Sequence, residues 1–122
     1  HNGKKPDVIA ELLAIESFQI AHLSRCLRKL DSIREPGSDS TLLDHTIVLF
    51  GSGMGYGGTH SNRNLPILVA GGGFKHLGHV DTRNASGVNM PLCNLFVTLL
   101  RRFGIERDSF NASTGSFDLR HA

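Results

Sequence analysis

A glycine-rich loop carries the residues of this chain whose types and spacing could do chemistry. The loop spans residues 51–64, follows an apolar stretch and has five glycines among its first eight residues. Glycine accepts a positive φ angle and lets backbone N–H groups approach a ligand closely. His60, Arg63 and Asn64 add an imidazole, a fixed positive charge and an amide, which suit an anionic or oxygen-rich ligand. We therefore predict a ligand site that comprises these residues and Ser52, with a plain surface connection as the alternative.

The loop does not fit the common nucleotide-binding or serine-hydrolase motifs. Gly53, Gly55 and Gly58 match the spacing GxGxxG, but that fingerprint needs a helix that begins at its third glycine. Only seven residues separate Gly58 from Pro66, and they have no helical periodicity. The lysine of a phosphate-binding loop is absent from the loop as well. Ser52 is not part of a GxSxG elbow, so a serine triad has no support.

The chain has seven histidines, and two others have a spacing known from metal sites. His76 and His79 form an HxxH pair with Asp81 two residues further on. Structural zinc sites add two more ligands at known spacing, so exposed loop histidines are the favoured interpretation. The others are interpreted as turn or structural residues: His45, which follows Asp44, together with His22 and His121.

Composition places the chain among globular proteins. It has 122 residues, of which 39% are hydrophobic and 20% are charged. Its net charge of +2 is spread along the chain, so we expect neither nucleic acid nor an anionic membrane surface as partner. No apolar run approaches the ~20 residues of a membrane span. Because the sequence opens with His1 rather than methionine, we expect a fragment or a processed product of a longer parent protein.

The two cysteines are too few for a disulfide framework. Cys26 and Cys93 each lie beside apolar neighbours in a predicted helix. Free cysteine packs like a small hydrophobic residue, so buried free thiols are favoured and a bridge between the helices is the alternative.

Periodicity predicts two helices and two strands around the loop. Apolar residues at three- and four-residue spacing, interrupted by Glu16, indicate an amphipathic helix from Pro6 to about Leu30. The unbroken apolar runs 46–50 and 66–70 are typical of strands covered on both faces in a parallel sheet. A second amphipathic helix is predicted from Pro91 to Phe103, with Gly104 at its C-terminal cap.

The predicted fold class is α/β: a small parallel sheet segment flanked by the two helices. Two strands are too few for an independent doubly wound sheet. We therefore expect residues 1–122 to form a single α/β segment, the C-terminal part of a larger three-layer α/β/α domain, with residues 106–122 as a mostly irregular tail. The partner that completes it would be the upstream part of the same parent chain or a second copy in a homo-oligomer.

Four parts of the sequence together match a known pattern: TLLDHTIVLFGSG at residues 41–53, His60, NLPILVAGGG at residues 64–73 and PLCNL at residues 91–95. They resemble the C-terminal part of the HXXSHH family, a group of uncharacterised bacterial proteins generally thought to be exported. The resemblance runs from the first helix to residues 113–115. It implies a periplasmic or extracellular location and no particular activity. From the residues themselves we expect a non-catalytic α/β segment with a possible ligand site on loop 51–64. His1 then falls at or near the last histidine of the motif that names the family.

A more distant similarity to the alkaline phosphatase and sulfatase superfamily implies a different function. There an acidic or Asp-His metal ligand follows a strand of this type, and a further histidine precedes the next strand. His60 matches that histidine, whereas Ser52 stands in place of the acid. This resemblance implies His60 and His1 as metal ligands, with the nucleophile and the other ligands supplied from upstream. The alternative function is thus the C-terminal part of a metal-dependent hydrolase, with no cofactor in this segment and a divalent metal in the parent protein.

Overall fold

The computed structural model describes residues 5–75 and 78–117. The chain divides into two compact units, unit 1 from His1 to Gly71 and unit 2 from Gly72 to Ala122. Both helix and strand are present, as the predicted fold class requires. The elements in chain order are helix α1 (Pro6–Asp31), strand β1 (Ile47–Gly51), strand β2 (Ile67–Gly71) and helix α2 (Leu92–Arg102).

Helix α1 begins and ends close to its predicted bounds. Pro6 occupies the first turn, and Asp7 in that turn complements the positive end of the helix dipole. Leu23, Leu27 and Leu30 are half-buried, but α1 has no fully buried residue. Its apolar face is thus only partly covered, towards its C-terminal end. The expectation that this helix flanks the sheet is wrong, because β1 and β2 contact each other and neither is in extensive contact with α1.

Strands β1 and β2 pair antiparallel, so the prediction of a parallel sheet is wrong. The register places Ile47 opposite Gly71 and Gly51 opposite Ile67. A parallel return needs a crossover of a dozen or more residues, which the linker 52–66 is long enough to provide. The linker instead continues the ladder, since the Ser52 N–H donates to the Pro66 carbonyl oxygen at 3.2 Å. The two strands thereby become the stem of one long hairpin.

Both faces of this two-stranded sheet are partly open to solvent. Leu49 shares a face with Val69, and Leu68 shares the other face with Phe50. Leu49 is 42% exposed and Leu68 is 39% exposed. The expectation that both leucines are core residues covered on two sides is therefore wrong. Their apolar neighbours in the strands are half-buried, and the buried residue of the sheet is Gly71.

A hydrogen-bonded turn precedes β1, as predicted for Asp44 and His45. The Asp44 Oδ2 atom accepts from the Thr41 N–H at 2.7 Å and from the Thr41 hydroxyl at 3.0 Å. These hydrogen bonds lower the pKa of the Asp44 carboxyl below its usual value. The His45 Nε2 atom lies 2.8 Å from the Ser40 hydroxyl oxygen. Both side chains therefore have roles within the turn.

Unit 2 is organised around α2. Gly104 has a φ of 77° and follows the last helical turn, where its N–H donates to Arg101 and the Ile105 N–H donates to Leu100. This pair of hydrogen bonds is a Schellman motif, which confirms the predicted glycine cap. The buried residues of α2 are Asn94, Val97 and Leu99. Phe103, the predicted last residue of this amphipathic helix, is its C-terminal cap and is exposed.

The segment after α2 has no helix or strand over residues 106–117, yet polar contacts hold it to the helix. Asn94 is 4% exposed; its Oδ1 accepts from the Thr114 N–H at 2.8 Å and its Nδ2 donates to the Thr114 hydroxyl at 3.2 Å. The Phe117 N–H lies 2.9 Å from the Thr98 hydroxyl oxygen. Two polar side chains one turn apart on α2 therefore anchor this segment.

Both cysteines are free thiols. Cys26 is exposed on α1, which contradicts the expectation of a buried side chain, and Cys93 is partly buried. Among the residues that the structure describes, no helix is both long enough and apolar enough to cross a membrane.

Candidate functional site

The glycine-rich loop is an extension of the β1–β2 hairpin, and we call residues 51–66 the glycine hairpin. Tyr56 and Ser61 pair across it, with the Gly55 N–H donating to the Ser61 carbonyl at 2.8 Å and the Ser61 N–H to the Tyr56 carbonyl at 3.2 Å. The tip is the four-residue turn 57–60. The candidate site therefore sits on a hydrogen-bonded ribbon, not on an unsupported loop.

The residues of the hairpin with left-handed backbone angles (positive φ) are not glycines. His60 has a φ of 52° and Asn64 a φ of 53°, whereas none of the five glycines between 51 and 58 has a positive φ. Our expectation that glycine supplies these backbone angles is thus wrong. Asn and His tolerate this region better than most residues, but a left-handed L-residue still costs ~1–2 kcal/mol. The two polar candidates for ligand binding therefore stand at the strained positions.

Two of the glycines instead allow the two arms of the hairpin to approach closely. A Cβ atom at Gly51 would lie 2.5 Å from the Pro66 carbonyl oxygen. At Gly55 it would meet the carbonyl oxygens of Arg63 and Asn64, the latter at 2.7 Å. Nothing lies within 4 Å of the corresponding position at Gly53. Glycine is thus required at particular pairing positions and not throughout the loop.

The tip carries a packed aromatic ring that the sequence analysis did not single out. A Cβ atom at Gly58 would lie 2.8 Å from the nearest ring atom of Tyr56, so the ring rests against this glycine. Tyr56 is nevertheless largely exposed, as is Met54 on the same arm. The sequence Tyr56-Gly57-Gly58 could have indicated this contact, since only glycine leaves room for an aromatic ring so close to its Cα atom.

The four candidate ligand-binding residues are spread along the hairpin. Ser52 lies at its base, where its Oγ accepts a hydrogen bond from the Met54 N–H at 3.1 Å. His60 is at the tip, and Arg63 and Asn64 lie on the returning arm next to Gly55. The Arg63 N–H donates to the Ser61 hydroxyl oxygen at 3.2 Å, and the Arg63 side chain is exposed. The hairpin ladder therefore groups the returning-arm residues and places Ser52 at the far end from His60.

The charge of this segment has one sign. Residues 51–64 contain Arg63 and His60 and no aspartate or glutamate. The guanidinium carries five N–H donors and no acceptor, and the imidazole has a ring N–H that can donate as well. Backbone N–H groups and the Asn64 amide provide further donors. The hairpin can therefore donate hydrogen bonds to an anion without a competing carboxylate in the same segment.

The predicted metal ligands are His60 and His1. His1 lies outside the described residues. Within residues 5–75 and 78–117, no group of three or more histidine, cysteine, aspartate or glutamate side chains is arranged to hold a metal ion.

The HxxH segment also lies partly outside this range, because His76 is not among the described residues. His79 is exposed. Both carboxylate oxygens of Asp81 accept from Arg83, with Nε 2.9 Å from Oδ1 and Nη2 2.5 Å from Oδ2. The side-chain hydrogen bonds of Arg83, followed by its backbone N–H, lower the pKa of Asp81 to about 2. Asp81 is therefore engaged by an arginine in the same turn.

Comparison with family models, with curated proteins and with solved structures found no match to this chain.

Proposed function

We propose that this chain is a non-catalytic α/β segment of an exported bacterial protein and that its glycine hairpin binds an anionic or oxygen-rich ligand. One observation carries the binding proposal. A braced hairpin presents His60 and Arg63 with an amide at Asn64, and its residues 51–64 contain no carboxylate. Bidentate donation by arginine is well suited to phosphate, sulfate or carboxylate groups. The exported location rests on the resemblance to the HXXSHH family.

The role of Ser52 supports a binding function over catalysis. Its hydroxyl oxygen accepts a hydrogen bond from the Met54 N–H inside the turn that leaves β1. A nucleophilic serine is activated by a neighbouring general base. Here Ser52 lies where the hairpin leaves the strands, whereas His60 lies at the tip of the hairpin, so the imidazole is far from the serine hydroxyl. Ser52 therefore enters the proposal as a turn-forming residue at the end of the hairpin away from His60.

Exposed apolar surface supports the proposal that the chain is one segment of a larger α/β/α assembly. The N-terminal half of α1 exposes several large apolar side chains, and both faces of the sheet carry an exposed leucine. Such surface is uncommon on a complete monomeric domain. The proposed cover is the upstream part of the parent chain or a second copy of this chain.

An anion titration followed by NMR tests the ligand site. Inorganic phosphate added to the isotope-labelled chain is expected to shift the backbone amides of residues 55–64. Arg63→Ala and His60→Ala are expected to weaken the apparent affinity roughly tenfold each, as loss of a charge-assisted hydrogen bond requires. Lys75→Ala removes an exposed cation outside the hairpin and serves as the matched control. If all three variants weaken phosphate binding equally, the binding depends on net charge and not on the hairpin, and the proposal is overturned.

The metal-dependent hydrolase remains the second proposal, for the parent protein, because His60 matches a superfamily ligand position. A catalytic zinc usually has three protein ligands, so we expect this chain to bind zinc weakly. Calorimetric titration with zinc measures this directly. Sub-micromolar affinity that is abolished by His60→Ala would show a complete metal site here and would favour the hydrolase. Elemental analysis of the parent protein, purified without chelator, tests the same alternative in the longer chain.

A further inference from the structure

The outer face of helix α1 has a charge pattern that is symmetric about Phe18. Glu11 and Arg25 each lie seven residues from Phe18, on its N-terminal and C-terminal sides respectively. Asp7 and Lys29 each lie eleven residues from it, again one on either side. Two turns of an α-helix take ~7 residues and three turns take ~11, so all five side chains lie along one face. Negative charge thus occupies one half of this face and positive charge the other.

This face is open in the structure. Phe18 is 64% exposed, and the four charged residues are exposed as well. Leu27, nine residues from Phe18 and hence on the opposite side of the helix, is half-buried. The ion pairs of the described chain join Arg83 to Asp81 and Arg101 to Asp108, so none involves these four charges. Only towards its C-terminal end, at Leu23, Leu27 and Leu30, does the helix turn its other side towards the rest of unit 1.

The aromatic ring at the centre of the face is held in place. The His22 ring lies over it with 4.0 Å between ring centroids and 38° between the ring planes. The His22 Nδ1 atom is 2.9 Å from the Phe18 carbonyl oxygen, which fixes the imidazole against the helix. Phe18 is thus presented as a large apolar surface with restricted freedom, and such an anchor loses less entropy when a partner covers it.

We propose that α1 pairs through this face with the same helix of a second copy, antiparallel and about a twofold axis beside Phe18. In that arrangement Glu11 of each copy lies opposite Arg25 of the other, and Asp7 lies opposite Lys29. The two phenylalanine rings meet at the axis. A parallel arrangement in register would place like charges together, which is destabilising. The pattern is therefore self-complementary only in the antiparallel arrangement, as an isologous interface requires.

The length of the helix suits such a contact. Asp7 and Lys29 lie 22 residues apart, which corresponds to ~33 Å of helix. Long helices pack antiparallel at a crossing angle of ~20° with their side chains interdigitated. The charged pairs lie towards both ends of this contact and set its register, while the central aromatic pair supplies apolar burial. The surface is separate from the glycine hairpin, so anion binding and pairing can each fail without the other.

Charge reversal on the full 122-residue chain tests the pairing by sedimentation equilibrium. Asp7→Lys/Glu11→Lys makes the face wholly positive, and Arg25→Glu/Lys29→Glu makes it wholly negative. We expect the wild type to form dimers, and each double variant alone to have a dimer dissociation constant raised roughly tenfold or more. An equimolar mixture of the two variants is expected to form a heterodimer at least as tight as the wild-type dimer.

A matched control separates this face from net charge. Glu16→Lys/Asp31→Lys makes the same charge change as the positive variant but on the opposite side of the helix. It should leave the dimer unchanged, and circular dichroism should show equal helix content in all variants. The wild-type dimer should weaken as salt is added, since exposed charges are screened. A monomeric wild type, variants that fail to recombine, or a control that dissociates as much as the face variants would overturn the proposal.

Discussion

A Cβ atom at Gly55 would lie 2.7 Å from the carbonyl oxygen of Asn64, because the two arms of the glycine hairpin touch at this position. This distance is shorter than a carbon–oxygen contact tolerates. The atoms in the way belong to the backbone of the opposite arm, so no side-chain rotation can relieve the clash. The arms would have to separate, and the Gly55–Ser61 hydrogen bond would be strained or lost.

Gly55→Ala is therefore expected to destabilise unit 1 by ~1–3 kcal/mol, the usual cost of forcing an extra methyl group into a closed contact. Gly53→Ala, two residues earlier on the same arm and with open space around it, should change stability by no more than ~0.5 kcal/mol. Urea denaturation followed by the NMR signals of unit 1 measures the free energy of unfolding of both variants. Equal effects of the two alanines would contradict the close approach.

The backbone at His60 gives a second prediction. At a φ of 52°, glycine is favoured over alanine by ~1–2 kcal/mol, so His60→Gly should be more stable than His60→Ala. At the adjacent Thr59, which has no positive φ, the order should reverse, with the glycine variant less stable by ~0.4–1 kcal/mol. Thermal unfolding of the four variants checks this reversal. An alanine variant that is more stable than the glycine variant at both positions would show that residue 60 is not left-handed in solution.

Local sequence patterns predicted the elements well, because short-range interactions determine them. Pro6, the spacing of apolar residues in α1 and the glycine cap at Gly104 act within one or two turns. Both strands lie within one residue of their predicted bounds, since runs of β-branched and apolar residues favour extended backbone. The position of the candidate site followed from the same patterns, as loop 51–64 lies directly between the strands.

The direction of strand pairing did not follow from sequence, because it depends on the path of the linker. Residues 52–66 are enough for a parallel crossover, and nothing in the apolar runs distinguishes that return from a hairpin. The Tyr56–Ser61 pairing within the linker decides it. His60 has a left-handed backbone because it lies in the turn at the tip of that hairpin. This conformation could not be foreseen, since the nearby glycines were the residues expected to have positive φ.

Asn94 is a buried polar residue whose removal should release the segment that follows α2. Asn94→Ala deletes both side-chain hydrogen bonds to Thr114 and removes the acceptor of the Thr114 N–H. We expect unit 2 to lose ~1–3 kcal/mol of stability, because each of the two lost hydrogen bonds contributes ~0.5–1.5 kcal/mol. Hydrogen exchange at the Thr114 amide should accelerate. Asn62→Ala, at an exposed position, is the control and should leave this exchange rate unchanged.

The pair Asp81–Arg83 predicts a pH-dependent turn. Arg83 donates to both carboxylate oxygens and lowers the pKa of Asp81 from its usual value near 3.8 to about 2. A group whose pKa is lowered by folding stabilises the folded conformation above its unfolded pKa, and that contribution disappears as the pH falls through the folded value. The turn should therefore be intact above pH 3.8 and should open as the pH falls towards 2.

Carboxyl carbon NMR of Asp81 measures the titration, and Arg83→Gln should return its pKa towards 3.8. Because both side chains are largely exposed, added salt should weaken the shift. An Asp81 carboxyl that titrates near 3.8 in the wild type would show that the pair is not formed in solution.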